Sequence, residues 1–176
     1  MFSNIILRGA SALLLGVVNA VSVPALAADQ DQVILQSQND AALDALFMKL
    51  RSGQGDPDEW QQYIEAIWAT SPSAGVNVLV DRAQMALAAQ DAATAGILIN
   101  HINGLAPHFV HGWILKGELA LLEEDPVVAE ISYARAVALE PRHYEAISQL
   151  GYLAAQSDDK KLAYKRFREA LDWNPY

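Results

Sequence analysis

Residues 110–143 read VHGWILKGELALLEEDPVVAEISYARAVALEPRH, and their spacing of alanine, aspartate and proline recurs on both sides of this stretch. The residues that repeat at a step of 34 are Ala95, Ala129 and Ala163, Asp91, Asp125 and Asp159, and Pro107, Pro141 and Pro175. Because proline makes up only about 5% of protein residues, two further prolines at dictated positions are hard to obtain by chance. The chain is therefore built from a repeat.

The residues at the other register positions indicate the kind of repeat. The second copy carries Trp113, Gly117, Ala120, Ala129, Tyr133, Ala136 and Pro141, and the third carries Ile147, Leu150, Gly151, Ala154, Ala163, Phe167, Ala170 and Pro175. The first copy matches less fully, with Leu79, Ala83, Ala86, Ala95, Ile99, Ile102 and Pro107. This pattern resembles the tetratricopeptide repeat (TPR) signature. The resemblance implies an all-α, TPR-type α-solenoid of antiparallel helix pairs, with repeats at 76–109, 110–143 and 144–176.

The spacing also makes physical sense as two helices per repeat. Small residues at the recurring alanine and glycine positions let two helices approach, while larger residues fill the volume beside them. The recurring aspartates precede the second helix, where a carboxylate can accept from free backbone N–H groups. Pro57 and Pro126 each follow an aspartate and suit the first position of a helix. We expect these aspartates to be caps.

Upstream of the repeats, residues 40–75 resemble a degenerate helical pair. Trp60, Ile64, Ile67 and Trp68 recur at helical spacing, which is more typical of a core than of a cofactor site. The combination of this pair with the repeats and an apolar N-terminus resembles small exported TPR proteins of Gram-negative bacteria. That resemblance implies no established reaction.

Residues 1–27 have the organisation of a secretory signal peptide. One charged residue, Arg8, precedes an apolar run over residues 10–23, and Ala25 and Ala27 suit cleavage after Ala27. The alternative is an uncleaved anchor, but a helix over those 14 residues rises only about 21 Å, against a hydrocarbon core of about 30 Å. We expect a periplasmic product that begins at Ala28 with a polar leader over 28–39. No stable membrane anchor is expected after cleavage.

Charge narrows the class of partner. Cleavage after Ala27 would leave 149 residues with 11 basic and 21 acidic side chains, a formal charge of −10. This length is enough for one domain with a core. An acidic surface repels phosphate backbones, so nucleic-acid binding is not expected.

Motifs for catalysis are missing from the sequence. It contains no Gly-rich phosphate loop, no GxSxG, no HExxH and no cysteine, so we expect neither an enzyme nor a cofactor. His101, His108 and His111 could suggest a metal site. Because Pro107 precedes His108 and no well-spaced third ligand follows, polar residues at a corner between repeats are the favoured interpretation.

The resemblance also implies a binding surface. In TPR arrays the first helix of each repeat lines a concave groove. The corresponding residues here are Asn77, Val80, Gln84, Leu87, His111, Ile114, Glu118, Leu121, Glu145, Tyr152 and Gln156. This set is apolar and acidic, without lysine or arginine, so it favours a peptide with apolar anchors flanked by basic residues. The alternative is that these are ordinary surface residues.

The C-terminal helix offers a second candidate surface. Tyr164, Leu171 and Trp173 would form an apolar flank if no further helix covers them, and such a flank often marks a contact. The basic residues Lys160, Lys161, Lys165, Arg166 and Arg168 would rim it or form a solvated face. Trp173 could instead fold back onto its own repeat.

The sequence therefore predicts a non-enzymatic periplasmic adaptor or scaffold. The alternative is a self-associating structural subunit, most simply a weak homodimer.

Overall fold

A computed structural model describes residues 39–176, which form helices and no strand. The expected signal peptide, and the leader up to residue 38, lie outside the described residues. The helices are α1 (residues 39–52), α2 (Pro57–Ala69), α3 (Ala74–Ala88), α4 (Ala92–Leu105), α5 (Val110–Leu122), α6 (Pro126–Leu139), α7 (Tyr144–Gln156) and α8 (Lys160–Trp173). The fold is an all-α solenoid of TPR type, in which α3–α4, α5–α6 and α7–α8 are antiparallel pairs. No helix within residues 39–176 combines the length and apolar character needed to span a membrane.

The recurring aspartates cap the second helix of each repeat, as predicted. Asp91, Asp125 and Asp159 each accept a hydrogen bond at Oδ1 from the backbone N–H three residues later, at 3.0, 3.0 and 2.9 Å. Helices α2 and α6 begin at Pro57 and Pro126, which was also predicted. The start of each second helix is therefore determined by local sequence.

The turn inside each repeat has a backbone feature that the sequence did not suggest. Gln90, Glu124 and Asp158 have positive φ values of 55°, 57° and 62°, a region that favours glycine. The next amide in each turn donates back across the helix end to the carbonyl of Ala86, Ala120 or Ala154. This bond satisfies a carbonyl that the helix leaves free, which offsets the strain at a residue that is not glycine.

Small residues allow close helix contact inside the repeats. Ala95, Ala129 and Ala163 are buried where the two helices of each pair meet. In the second repeat the ring of Tyr133 lies directly over Gly117, where an added Cβ would come within 2.6 Å of Cζ. In the third repeat Phe167 packs over Gly151 in the same way. The interaction between pairs continues through the core, because α5 contributes residues to the first repeat's cluster and α7 to the second's.

The N-terminal pair, α1 and α2, packs against the third repeat. Phe47 lies 5.6 Å from the Trp173 ring and 6.4 Å from the Tyr144 ring, centroid to centroid. Trp68 stacks on His143 at 4.1 Å, and Ile64 is fully buried in the same cluster. The tryptophans and isoleucines of α2 thus form core, as predicted, but the core is shared with α7 and α8. This docking onto the last repeat was not predicted.

Arg142, in the turn between α6 and α7, joins the N-terminal pair to the repeats through ion pairs. Its guanidinium donates to Asp44 at 2.6 Å, to Asp40 at 3.4 Å and to both oxygens of Glu140 at 2.8 Å. Burial opposes ionisation of Glu140, but the hydrogen bonds from Arg142 outweigh it and hold the pKa of Glu140 below its ordinary value. The same guanidinium lies 5.7 Å from the Phe47 ring. Arg142 therefore holds the start of α1 against the repeats.

Candidate binding pocket on the groove face

The first helices of the three repeats, α3, α5 and α7, line one face of the solenoid, called here the groove face. A cavity of about 270 Å³ opens on this face between α5, α6 and α7, and we call it the acidic pocket. Its walls contain two carboxylates, Glu118 and Glu145, and two phenols, Tyr133 and Tyr144. The remaining wall residues are Ile114, Ala146, Ser148 and Gln149.

Tyr133 reaches the pocket from the far side of α5. It belongs to α6, and its ring crosses α5 over Gly117, where no side chain stands in the way. The side chain is only 1% exposed, yet its hydroxyl makes no hydrogen bond to any residue within 39–176. Burial, followed by the charges of Glu118 and Glu145, raises the pKa of Tyr133 well above its ordinary value. The hydroxyl is therefore protonated and available at the pocket wall.

The pKa values of the two pocket carboxylates are raised, although both side chains are exposed. Burial within the pocket walls raises the pKa of Glu118, and the charge of Glu145 raises it further. The pKa of Glu145 is likewise raised by burial first and then by the charge of Glu65. Both side chains are still reached by solvent, so each remains accessible to a ligand. No ion pair within the described residues involves either of them.

The third acidic group comes from the N-terminal pair. Helix α2 contacts α5, and its Glu65 accepts a hydrogen bond of 3.3 Å from the Tyr144 hydroxyl. Burial and the charges of Glu65 and Glu145 raise the pKa of Tyr144. Docking of α2 therefore adds negative charge beside the pocket and fixes one of its phenols.

The structure brings three of the predicted groove residues into the pocket, namely Ile114, Glu118 and Glu145. Leu121, Tyr152 and Gln156 are exposed, and the Tyr152 ring packs edge to face against Phe167 at 5.0 Å. These three residues are accessible but line no part of the acidic pocket.

The groove positions contributed by α3 differ from the prediction. Val80 is buried in the core of the first repeat, and Leu87 is partly buried against the same cluster. Asn77 bonds the backbone of Ser71 on both sides, accepting at 2.8 Å and donating at 2.9 Å, so it holds the turn before α3. Gln84 is exposed and bonds His111 of α5 at 3.1 Å. The register of the TPR resemblance placed Val80 and Asn77 on a free surface. In the structure Val80 packs in the core, and Asn77 bonds the turn before α3.

The C-terminal flank is only partly exposed. Tyr164 and Leu171 are exposed, whereas Trp173 is partly buried because α1 packs Phe47 against it and Arg51 lies over its ring at 5.4 Å. Trp173 therefore lies neither on an open flank nor in a contact confined to its own repeat, because its ring packs against α1.

Among the basic residues of α8, Arg166 pairs with Glu169 at 3.0 Å and Lys160 pairs with Asp158 at 3.3 Å. These ion pairs favour a solvated basic face on α8 over a basic rim around an apolar contact.

The histidines lie apart from one another. His101 and His108 are exposed, and His111 is half-buried with its pKa lowered by burial. Within residues 39–176 no three side chains of His, Asp or Glu are grouped closely enough to hold a metal ion.

Sequence reasoning missed three residues of the site: Tyr133, Tyr144 and Glu65. Tyr133 was recognised only as a core residue of the repeat. A glycine at position 117 facing a tyrosine instead of phenylalanine was the available signal, because the ring can cross the helix and place its hydroxyl beyond it. No local signal places Glu65 near α7, since that proximity depends on the docking of α2.

The comparisons with known proteins agree with this architecture. The chain is similar to a TPR repeat-containing protein of Rhizobium etli, with 24% identity over 159 residues that cover 86% of this chain and 78% of the relative. No protein-family model matches the chain. The distant relative and the all-helical architecture fit a TPR-like family, whose fold is typically non-enzymatic and suggests interaction with other proteins.

Proposed function

We propose that this protein is a non-enzymatic adaptor or scaffold, exported to the periplasm, that binds a segment of a partner protein along the groove face. The acidic pocket is the observation that carries this proposal. It combines open carboxylates with apolar walls at the position where α5 and α7 come together. A pocket of this mixed character can hold a protein segment that places an apolar anchor and a basic side chain against it.

The resemblance to a TPR repeat-containing protein supports the interaction role. The order of charges and small residues over 1–27 supports export. The alternative role, a self-associating subunit that uses the end of α8, is less favoured. Its contact would have to rely on Tyr164 and Leu171, because Trp173 is covered by α1.

One experiment tests both parts of the proposal. The full chain with a C-terminal affinity tag is expressed in a Gram-negative host, and tagged protein is captured from the periplasmic fraction after crosslinking. Intact-mass analysis should give a soluble species that begins at Ala28. Mass spectrometry should identify partners that Glu118→Lys reduces severalfold, because the substitution reverses a charge in the acidic pocket. Tyr152→Ala should reduce capture less.

Glu130→Lys is the matched control, since it makes the same charge change at an exposed position of α6. Circular dichroism and melting should stay close to wild type in all three variants. Equal capture by Glu118→Lys and Glu130→Lys would contradict binding at the groove face. An uncut chain in the membrane fraction would contradict the export part.

A further inference from the structure

We infer that the acidic pocket binds a side-chain cation of the partner, either the ammonium of a lysine or the guanidinium of an arginine. This inference rests on the proposed function, because it specifies the chemistry that the groove face would recognise. It starts from one unusual group, the phenol hydroxyl of Tyr133. The side chain is almost completely buried, lines the pocket, and has no hydrogen-bond partner within residues 39–176.

The oxygen opens on the pocket, because within residues 39–176 the fully enclosed side-chain atoms without a partner are Trp68 Nε1 and Asn103 Oδ1. Water or a ligand in the pocket therefore completes the hydrogen bonding of the Tyr133 hydroxyl. Packing does not require this hydroxyl. The third repeat fills the equivalent space over Gly151 with Phe167, which has the same ring without the oxygen. The second repeat therefore carries an additional polar group directed into the pocket. This group points to a ligand that can complete its hydrogen bonding.

The charges around Tyr133 determine the sign of that ligand. Glu118 and Glu145 line the same cavity without an ion pair to any residue of 39–176, and Glu65 stands close enough to raise the pKa of Glu145. No lysine or arginine is among the lining residues. A cation would relieve the mutual repulsion of these carboxylates and donate hydrogen bonds to their oxygens. An anion would be repelled, and a neutral apolar group would remove the carboxylates from water without compensation.

The walls favour an organic cation over a metal ion. Ile114, Ala146 and the rings of Tyr133 and Tyr144 provide apolar and aromatic surface next to the carboxylates. The alkyl stem of lysine or arginine packs on such surface, and the charged end is attracted to aromatic faces. Within the described residues the acidic side chains do not come together as a group of three that could ligate a metal.

Butylammonium and butylguanidinium chloride are suitable probes, because they reproduce the ends of lysine and arginine without any flanking peptide. Each is titrated into the ¹⁵N-labelled purified protein at neutral pH and constant ionic strength. We expect saturable amide shifts confined to α5, α7 and the end of α2. The tighter of the two probes identifies which cation the pocket prefers. Butanol, which has a stem of the same length without charge, should give no saturable shift.

Three variants test the residues named. Glu118→Gln with Glu145→Gln should weaken probe binding about tenfold or more, because charge-assisted hydrogen bonds are lost. Tyr133→Phe should weaken it about threefold while leaving the ring packing intact. Glu130→Gln on α6 is the matched control and should bind as wild type does.

Other outcomes would overturn the inference. These are equal shifts with butanol, unchanged affinity in the double variant, or tighter saturation of the same amides by calcium chloride alone. The result is separable from the proposed function. Probe binding without an effect of Glu118→Lys on partner capture would contradict only the adaptor role. Partner capture that depends on Glu118 without any probe binding would contradict only the cation assignment.

Discussion

The three repeats and the N-terminal pair are held in place by different kinds of contact. Inside the repeats, helices meet at small residues in a fixed register, such as Ala129 or Gly117 beneath Tyr133. The N-terminal pair instead docks through large aromatic rings and the ion pairs of Arg142, whose partner Asp44 is 98 residues away in sequence. Periodic packing can therefore be inferred from spacing, whereas docking between distant segments depends on residues that occur once.

The largest expected effect comes from breaking the docking contact. Arg142→Ala leaves the buried carboxylate of Glu140 without its cation and releases Asp40 and Asp44. Removing one partner of a buried pair usually lowers the free energy of unfolding by about 3 kcal/mol or more. Urea unfolding followed by tryptophan fluorescence measures the change.

Arg166→Ala serves as the comparison for that variant, because its pair with Glu169 is more exposed. It should lower the free energy of unfolding by less than about 1 kcal/mol. Similar losses in the two variants would mean that Arg142 is no more important for docking than a surface ion pair.

A smaller effect is expected from breaking the periodic contact. Ala129→Leu and Ala163→Leu place a larger side chain where two helices touch, and each should lower the free energy of unfolding by about 1–3 kcal/mol. Ala138→Leu, at an exposed position of α6, should change it little. Urea midpoints at wild-type values for both buried variants would show that these alanines do not set the helix spacing.

The smallest expected effect concerns the acidic pocket of the repeats, beside which Glu65 of the N-terminal pair lies. The pKa of Glu118 is raised in the folded protein, so its contribution to stability is fully present below the ordinary pKa of glutamate. That contribution is lost as pH rises through the raised value. Glu118→Gln should therefore raise stability at pH 7 by a few tenths of a kcal/mol, a small gain because solvent still reaches the group.

Melting temperatures at pH 7 and pH 4 measure this difference, which should shrink or disappear at the lower pH. Glu130→Gln provides the exposed control. If Glu118→Gln is less stable than wild type at pH 7, then the carboxylate has a favourable structural partner. Stabilisation together with weaker cation binding would indicate that the charge is kept for recognition.

The sequence predicted those features that depend on local register. The aspartate caps, the helix starts at Pro57 and Pro126, and the buried alanines all follow from residues close to one another along the chain. The left-handed residues Gln90, Glu124 and Asp158 were not predicted, because none is the glycine that usually marks such a turn.

The candidate site was predicted only as far as the repeat register determines it. Register placed Glu118 and Glu145 on one face, which the structure brings into one pocket. The register could not show that Val80 packs in the core, or that docking of α2 brings Glu65 beside Tyr144. Those outcomes depend on which surfaces meet, and a repeat pattern carries no information about a segment outside the repeat.

The contact between α1 and α8 has a consequence for how the protein should fold. Contacts in a solenoid join neighbours, so such arrays can form from any repeat and can fray at a free end. Here the last repeat shares its core with the first helix pair, and that contact requires closure of a long segment of chain. We expect the repeats to assemble first and the pair to dock afterwards. Once docked, it should make the third repeat unfold with the rest as one cooperative unit.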